Sequence, residues 1–262
     1  MTTSIDWYLS FPSDFINRLS RCLDRAAAKN PKSDVTLFFR ADDIGVPGQK
    51  FFRLLELCMA FEVPMAFAMI PAWITAIRWE KIYKAAQKKA NLWCWHQHGW
   101  CHANHESMGK KQEFGPSRLT EKLYNDIDRG RDRLEGILGD DFFPLFTPPW
   151  NRCDQRTLSH LSRRKYHAIS RFANSTPKSL QELPDFFVNV DLHTRKEADP
   201  VQAWNKLLDD FASAFKYGYC GIMLHHQRMS AAAFSFLELL FSFMVHSKQI
   251  HLTSMDNLNA RL

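Results

Sequence analysis

The sequence predicts a single-domain parallel α/β fold, with a (β/α) barrel of seven or eight strands preferred to an open doubly wound sheet. Three observations carry this. Short apolar runs of five to seven residues recur along the whole chain. Longer segments with helical spacing separate them. No Gly-rich fingerprint follows the first run, as it would in a dinucleotide-binding open sheet. The length of 262 residues lets a chain bury roughly 75% of its unfolded surface, so the core needs no staples.

The runs fall at 35–41, 64–70, 91–96, 143–147, 166–170, 186–191, 220–225 and 250–254, each rich in β-branched or aromatic residues. Continuous apolar runs of this length suit strands buried on both faces. Between them, Phe51, Leu54, Leu55, Cys58 and Met59 fall at i, i+3, i+4, i+7 and i+8. Leu119, Leu123, Ile127, Leu134 and Leu138 trace a similar stripe, and so do Trp204, Leu207, Leu208, Phe211 and Phe215. Asp154 and Ser230 are placed to cap helices. No linker or low-complexity tract divides the chain, so one domain over 1–262 is expected, with 1–30 as an extra N-terminal helix ahead of the first strand.

With 45% hydrophobic and 24% charged residues, the composition excludes disorder, collagen-like repeats and a coiled coil. The most apolar stretch, 231–245, holds Glu238 and falls short of the ~20 residues a membrane span needs. The first residues lack a basic segment followed by an apolar one, so a cytoplasmic protein with reduced thiols is expected. The net charge of +6 is scattered, densest at Arg163–Lys165 with Arg156 and Arg171 nearby. That is no nucleic-acid module, and neither nucleic acid nor membrane is expected as a partner. Six cysteines form no C-x-x-C pair. Cys22, Cys58, Cys94 and Cys220 read as small buried hydrophobes, while Cys101 and Cys153 lie beside the candidate site.

Polar residues concentrate where the runs end. Asp42 and Asp43 follow the first; His96, His98, His102 and His105 the third; 147–152 the fourth; Asp191 and His193 the sixth; His225 and His226 the seventh. In a parallel barrel these ends share one face, where active sites are built. His98 and His102 lie on one side if the chain turns helical after the strand, and Asp43 can add a carboxylate. Two His and one Asp with a free fourth position suit catalytic Zn2+ and other divalent metals. An alternative ligand set would use His96. Adjacent Asp residues on a strand point to opposite faces, so the pair can share a site only if the strand bends there.

Together these residues resemble the polysaccharide deacetylase family of carbohydrate esterases, whose motifs occur in this order. Ala-Asp-Asp at 41–43 is similar to the first, which implies Asp42 as general base and Asp43 as metal ligand. His-Gly-Trp-Cys-His at 98–102 is similar to the second, implying His98 and His102 as ligands. Thr-Pro-Pro-Trp-Asn at 147–151 resembles the third, a wall of the substrate groove. Val-Asp-Leu-His at 190–193 loosely resembles the fourth, and Ile-Met-Leu-His at 222–225 the fifth, implying His225 as general acid.

The resemblance implies a distorted (β/α) barrel. It further implies a metal-dependent hydrolase of C–N bonds other than peptide bonds, removing an acyl, typically N-acetyl, group from a small or oligomeric carbohydrate. Zn2+ is the first choice of metal, with Co2+, Ni2+ or Mn2+ as alternatives. Asp191 would orient His225; Trp100, Pro149, Trp150 and Arg152 would contact substrate. The family's third-motif Arg, which pairs with the base, is Thr147 here, and Arg152 or Arg40 would have to supply its charge. Two alternatives stand beside this reading: a hydrolase of a non-sugar C–N bond, and a catalytically silent carbohydrate-binding relative. The segment 103–116, long for a βα loop, would cover the site or set specificity.

Overall fold

The protein is described from a computed structural model covering residues 11–29, 34–195, 197 and 199–260. Helix α1 (Phe15–Lys29) precedes the first strand; residues 1–10 and 30 of the expected N-terminal helix lie outside the described residues. The elements then alternate as β1 (Val35–Ile44), α2 (Gln49–Phe61), β2 (Met65–Met69), α3 (Ala76–Ala86), β3 (Trp93–His98), α4 (Thr120–Leu138), β4 (Phe142–Thr147), α5 (Gln155–Arg163), β5 (Ala168–Ile169), β6 (Val190–Asp191), α6 (Pro200–Tyr217), β7 (Tyr219–Leu224), α7 (Ala231–His246) and β8 (Ile250–Leu252). Each apolar run of the sequence contributes one of these eight strands.

All strand pairs are parallel, in the order β5-β4-β3-β2-β1-β7-β6. β8 pairs with the start of β1, at Val35–Leu37. The sheet curls until the β5 edge meets the segment leading into β6. Bridges join Ile169 to Asp185 and Phe172 to Val188, with Phe186 N–H donating to Ile169 O and Val188 N–H to Arg171 O, each at 2.8 Å. The result is a distorted (β/α) barrel, irregular because no helix crosses between β5 and β6 among the described residues.

Alternation along the strands sorts the side chains. Leu37, Phe39 and Ala41 of β1 face outward under the helices. The stripes on α2 and α6 are buried there, as expected, apart from the half-buried Met59. On α4, Leu123, Ile127, Leu134 and Leu138 are buried, but Leu119 precedes the first turn and is exposed. Asp154 and Ser230 cap α5 and α7, accepting from Thr157 N–H and Ala233 N–H.

Phe38, Ala66, Cys94, Leu145, Ala168, Phe186 and Val188 cluster inside the barrel, where Met255 and Leu258, from a short 3-10 helix, plug the end at which the strands begin. Fully burying each such large side chain stabilises by roughly 1.5–3 kcal/mol. Gly221 makes room for Phe38: a Cβ there would lie 2.5 Å from the Phe38 ring and 2.4 Å from Phe187 O. All six cysteines are free; Cys58, Cys94, Cys153 and Cys220 are buried, while Cys22, expected in the core, is half-buried and packs against it from α1, and Cys101, near the site, is half-buried. No helix among the described residues is long and apolar enough to cross a membrane.

Candidate metal centre

The site lies where the strands end. The β1–β2 register shifts between Ala41 and Ile44, and Asp43 adopts a left-handed φ of 63°. This bulge breaks the alternation that would send two consecutive carboxylates to opposite faces. Asp42 keeps the inward direction of Phe38 and Arg40, and Asp43 turns onto the same end of the barrel. His98, the last residue of β3, is buried, and its Nδ1 lies 2.9 Å from Thr147 O. A carbonyl can only accept, so Nδ1 carries the proton and Nε2 is left to face the site.

His102 arrives by a route the sequence reading misses. The chain does not turn helical after β3; it bends, with left-handed φ at Gly99 (58°) and His102 (59°). The buried Glu113 carboxylate fixes this bend, accepting from Cys101 N–H at 2.8 Å and Trp100 N–H at 3.2 Å. A Cβ on Gly99 would sit 2.2 Å from Glu113 Oε2 and 2.6 Å from Pro149 Cδ, so only glycine fits. The Trp150 ring packs 4.3 Å from that of His102.

Asp43 Oδ1 lies 3.3 Å from both His98 Nε2 and His102 Nε2, and one donor atom from each residue falls within 4.8 Å of the others. Asp43 Oδ1 and His98 Nε2 are buried without a hydrogen-bond partner. Lone pairs converging at this range repel unless a cation lies among them. The groups of the cluster also act on one another's acidities. Burial opposes ionisation of Asp43, but His98, His225 and His102 outweigh it and hold the carboxyl well below its usual range. Burial disfavours a charged His98, but Asp43 and Asp42 raise it. Burial, with His98 beside it, lowers His102. Two imidazole nitrogens and one carboxylate oxygen, already converged and unpaired, fit a divalent cation.

One layer deeper, Arg40 fills the barrel. Its Nε donates to Asp42 Oδ1 at 2.8 Å and its NH2 to Asp42 Oδ2 at 2.9 Å; further donations reach Ser170 Oγ at 2.7 Å and Asn151 Oδ1 at 2.6 Å. Burial of Asp42 is outweighed by Arg40, then His98 and His225, and its acidity is held below the ordinary carboxylate range. Thr147, where the family pattern has Arg, instead shares a 2.9 Å hydrogen bond with His96 Nε2. His96 lies beneath the cluster and is not among the converging donors of Asp43, His98 and His102. Burial and Arg40 push it down to about 3.

His225 follows β7. Its Nδ1 is buried without a partner, and its backbone N–H donates to His193 Nδ1 at 2.9 Å. Asp191 does not orient it. The Asp191 carboxylate caps its own turn, accepting from His193 N–H and Thr194 N–H at 2.9 Å each and from Thr194 Oγ1. His226 packs against Phe51, and burial pushes it down to about 4.

Two expected substrate contacts are otherwise employed. Trp100 packs with the Phe114 cluster, with the Arg129 guanidinium 3.7 Å over its ring, so that face is not free for a sugar. Arg152 donates to Lys111 O at 3.2 Å and does not reach Asp42; Arg40 takes the missing arginine's charge. Pro149 is buried against Gly99, and Trp150 remains half-buried at the rim. The segment 103–116 is anchored at its C-terminal end. Glu113 and Phe114 are buried, and Asn104 Oδ1 accepts from Glu106 N–H and Gln112 N–H. Glu113, Ser170 and Asn151 escaped the sequence reading. Ser170 could have been found by following the inward alternation, whereas nothing in the local pattern marks Glu113.

No family model matches the sequence, and no curated protein does. Solved structures do resemble it. A protein from Mycobacterium smegmatis described as a polysaccharide deacetylase superposes with a TM-score of 0.62 at 14% identity, over 88% of this chain and 91% of the other. A carbohydrate esterase family 4 enzyme of Streptococcus mutans gives 0.54 at 12%, over 89% and 87%. The peptidoglycan N-acetylglucosamine deacetylase Bc1960 gives 0.51 at 12%, over 85% and 86%. The chain thus has the polysaccharide-deacetylase fold.

Proposed function

We propose that this protein is a metal-dependent deacetylase that hydrolyses an N-acyl, most simply N-acetyl, group on a carbohydrate. The observation that carries the reading is the convergence of Asp43 Oδ1, His98 Nε2 and His102 Nε2 beside a carboxylate clamped by a buried arginine. Asp43, His98 and His102 would hold the metal; their donor set suits Zn2+, and also Co2+, Ni2+ or Mn2+. A divalent cation there supplies Lewis-acid polarisation and acidifies a nearby water.

Asp42 is the proposed general base. Arg40 keeps it ionised and fixes its rotamer through two hydrogen bonds, and each oxygen retains a lone pair for the proton of the attacking water. His225, which follows β7 beside the cluster and has a buried Nδ1 without a partner, is the proposed acid that protonates the departing amine as the C–N bond breaks. Water and amide thereby become carboxylate and amine. Trp150, packed on His102 at the rim, offers the apolar surface nearest the reacting group. The fold shared with carbohydrate deacetylases supports the substrate class. The silent-relative alternative leaned on the absent third-motif Arg, and the Arg40–Asp42 pair removes that ground.

The test is Asp42→Asn, assayed on N-acetylated sugars and on small non-sugar amides with metal supplied. Turnover should fall by about 10²–10⁴-fold while metal content is unchanged. Full activity in that variant would refute the base assignment, and activity confined to non-sugar amides would move the substrate out of the carbohydrates.

A further inference from the structure

The missing β5–β6 helix leaves part of the barrel's outer face bare, and a cavity of about 430 Å3 lies there. None of its lining residues belongs to the metal centre. At its floor the buried Arg171 pairs with Asp185 at 2.7 Å. The loop after β5 forms one wall, held by Arg171 NH1 donating to Pro177 O at 2.8 Å, and the last turns of α6 form the other.

Three properties of the lining narrow the ligand. The volume lies within the ~300–1,000 Å3 of small-molecule sites. Among the charged lining residues Arg171 is paired with Asp185, and Asp210 with Arg195 and Lys206 outside the lining; the exposed Lys178 alone makes no clamp for an anion, and both lining carboxylates are already matched against a cation. Phe172 and Tyr217 are 38% and 72% exposed on this lining, and the Phe187 ring lies 6.1 Å from that of Tyr217. Asn174, Lys178 and Ser213 also line the cavity, and among the described residues no side-chain hydrogen bond or ion pair engages them. Exposed rings with uncommitted hydrogen-bonding groups between them match a flat ligand with an apolar face and a polar rim.

We propose that this cavity binds a neutral saccharide of one or two pyranose units, with a ring face on Phe172 or Tyr217 and hydroxyls to Asn174, Lys178 and Ser213. It is a second carbohydrate site on the outer wall, separate from the metal centre, and does not rest on the reading of that centre.

Metal-stripped protein titrated with cellobiose and with N,N′-diacetylchitobiose, followed by amide chemical shifts, tests this. Shifts should cluster at 171–179 and 213–217 and persist in His98→Ala. They should weaken about tenfold in Phe172→Ala/Tyr217→Ala, whose exposed positions spare the fold and whose turnover on a small N-acetylated substrate should match wild type. Silence from both sugars at saturating concentration would overturn the proposal, as would shifts confined to the Trp150 rim or undiminished binding by the double variant. Inorganic phosphate moving the same amides would also overturn it, by marking an anion site.

Discussion

The two ends of the barrel interior are made by the same strands and differ by steps of two residues. At one end Phe38, Cys94 and Leu145 pack with Met255 and Leu258 into a dry plug. Two positions along those strands stand Arg40, His96 and Thr147, all buried and hydrogen-bonded. Two more bring Asp42 and His98 to the site. Side-chain alternation thus stacks a hydrophobic base, a polar middle and an ionised top. The base is built of apolar side chains, whereas at the top Asp42 is paired with Arg40 and the Asp43 cluster leaves a place for a cation.

The middle layer is the sharpest place to break this contrast. Arg40→Met leaves the buried Asp42 carboxylate without its partner and should cost about 3–5 kcal/mol of stability by denaturant unfolding. Adding Asp42→Leu should recover much of that stability without restoring turnover. If Arg40→Met alone were neutral, the layered account of the interior would be wrong. At the base, Leu258→Ala should cost about 2–5 kcal/mol with kcat unaltered at a temperature where the variant stays folded. A large loss of kcat would mean that the two ends are not separable. At the top, Glu113→Gln weakens the carboxylate clamp on the 98–102 bend and should lower metal affinity about 10–100-fold in a competition titration. Unchanged affinity would show that the bend holds itself.

What the sequence makes legible follows from periodicity. Each apolar run became a strand, because a segment buried on both faces leaves an unbroken apolar signature, and the helical stripes on α2 and α6 were equally plain. The polar strand ends pointed to the right face of the barrel. The misplacements arise where the chain leaves regular periodicity. The bulge at Asp43 breaks strand alternation, and the double left-handed bend at Gly99 and His102 is set by contacts with Glu113 and Pro149, distant in sequence. Asp191 was misread because its carboxylate satisfies its own turn, a local alternative that Asp commonly takes. Trp100 offers an apolar ring face that suits a sugar, yet that face lies under Arg129.

The most direct test is to titrate Zn2+ or Co2+ into chelator-stripped protein and count the ions bound, in the wild type and in His98→Ala and His102→Ala. We expect one tightly held ion per chain in the wild type and its loss in both variants. One ion held as tightly by His98→Ala as by the wild type would contradict the assignment of Asp43, His98 and His102 to a common cation.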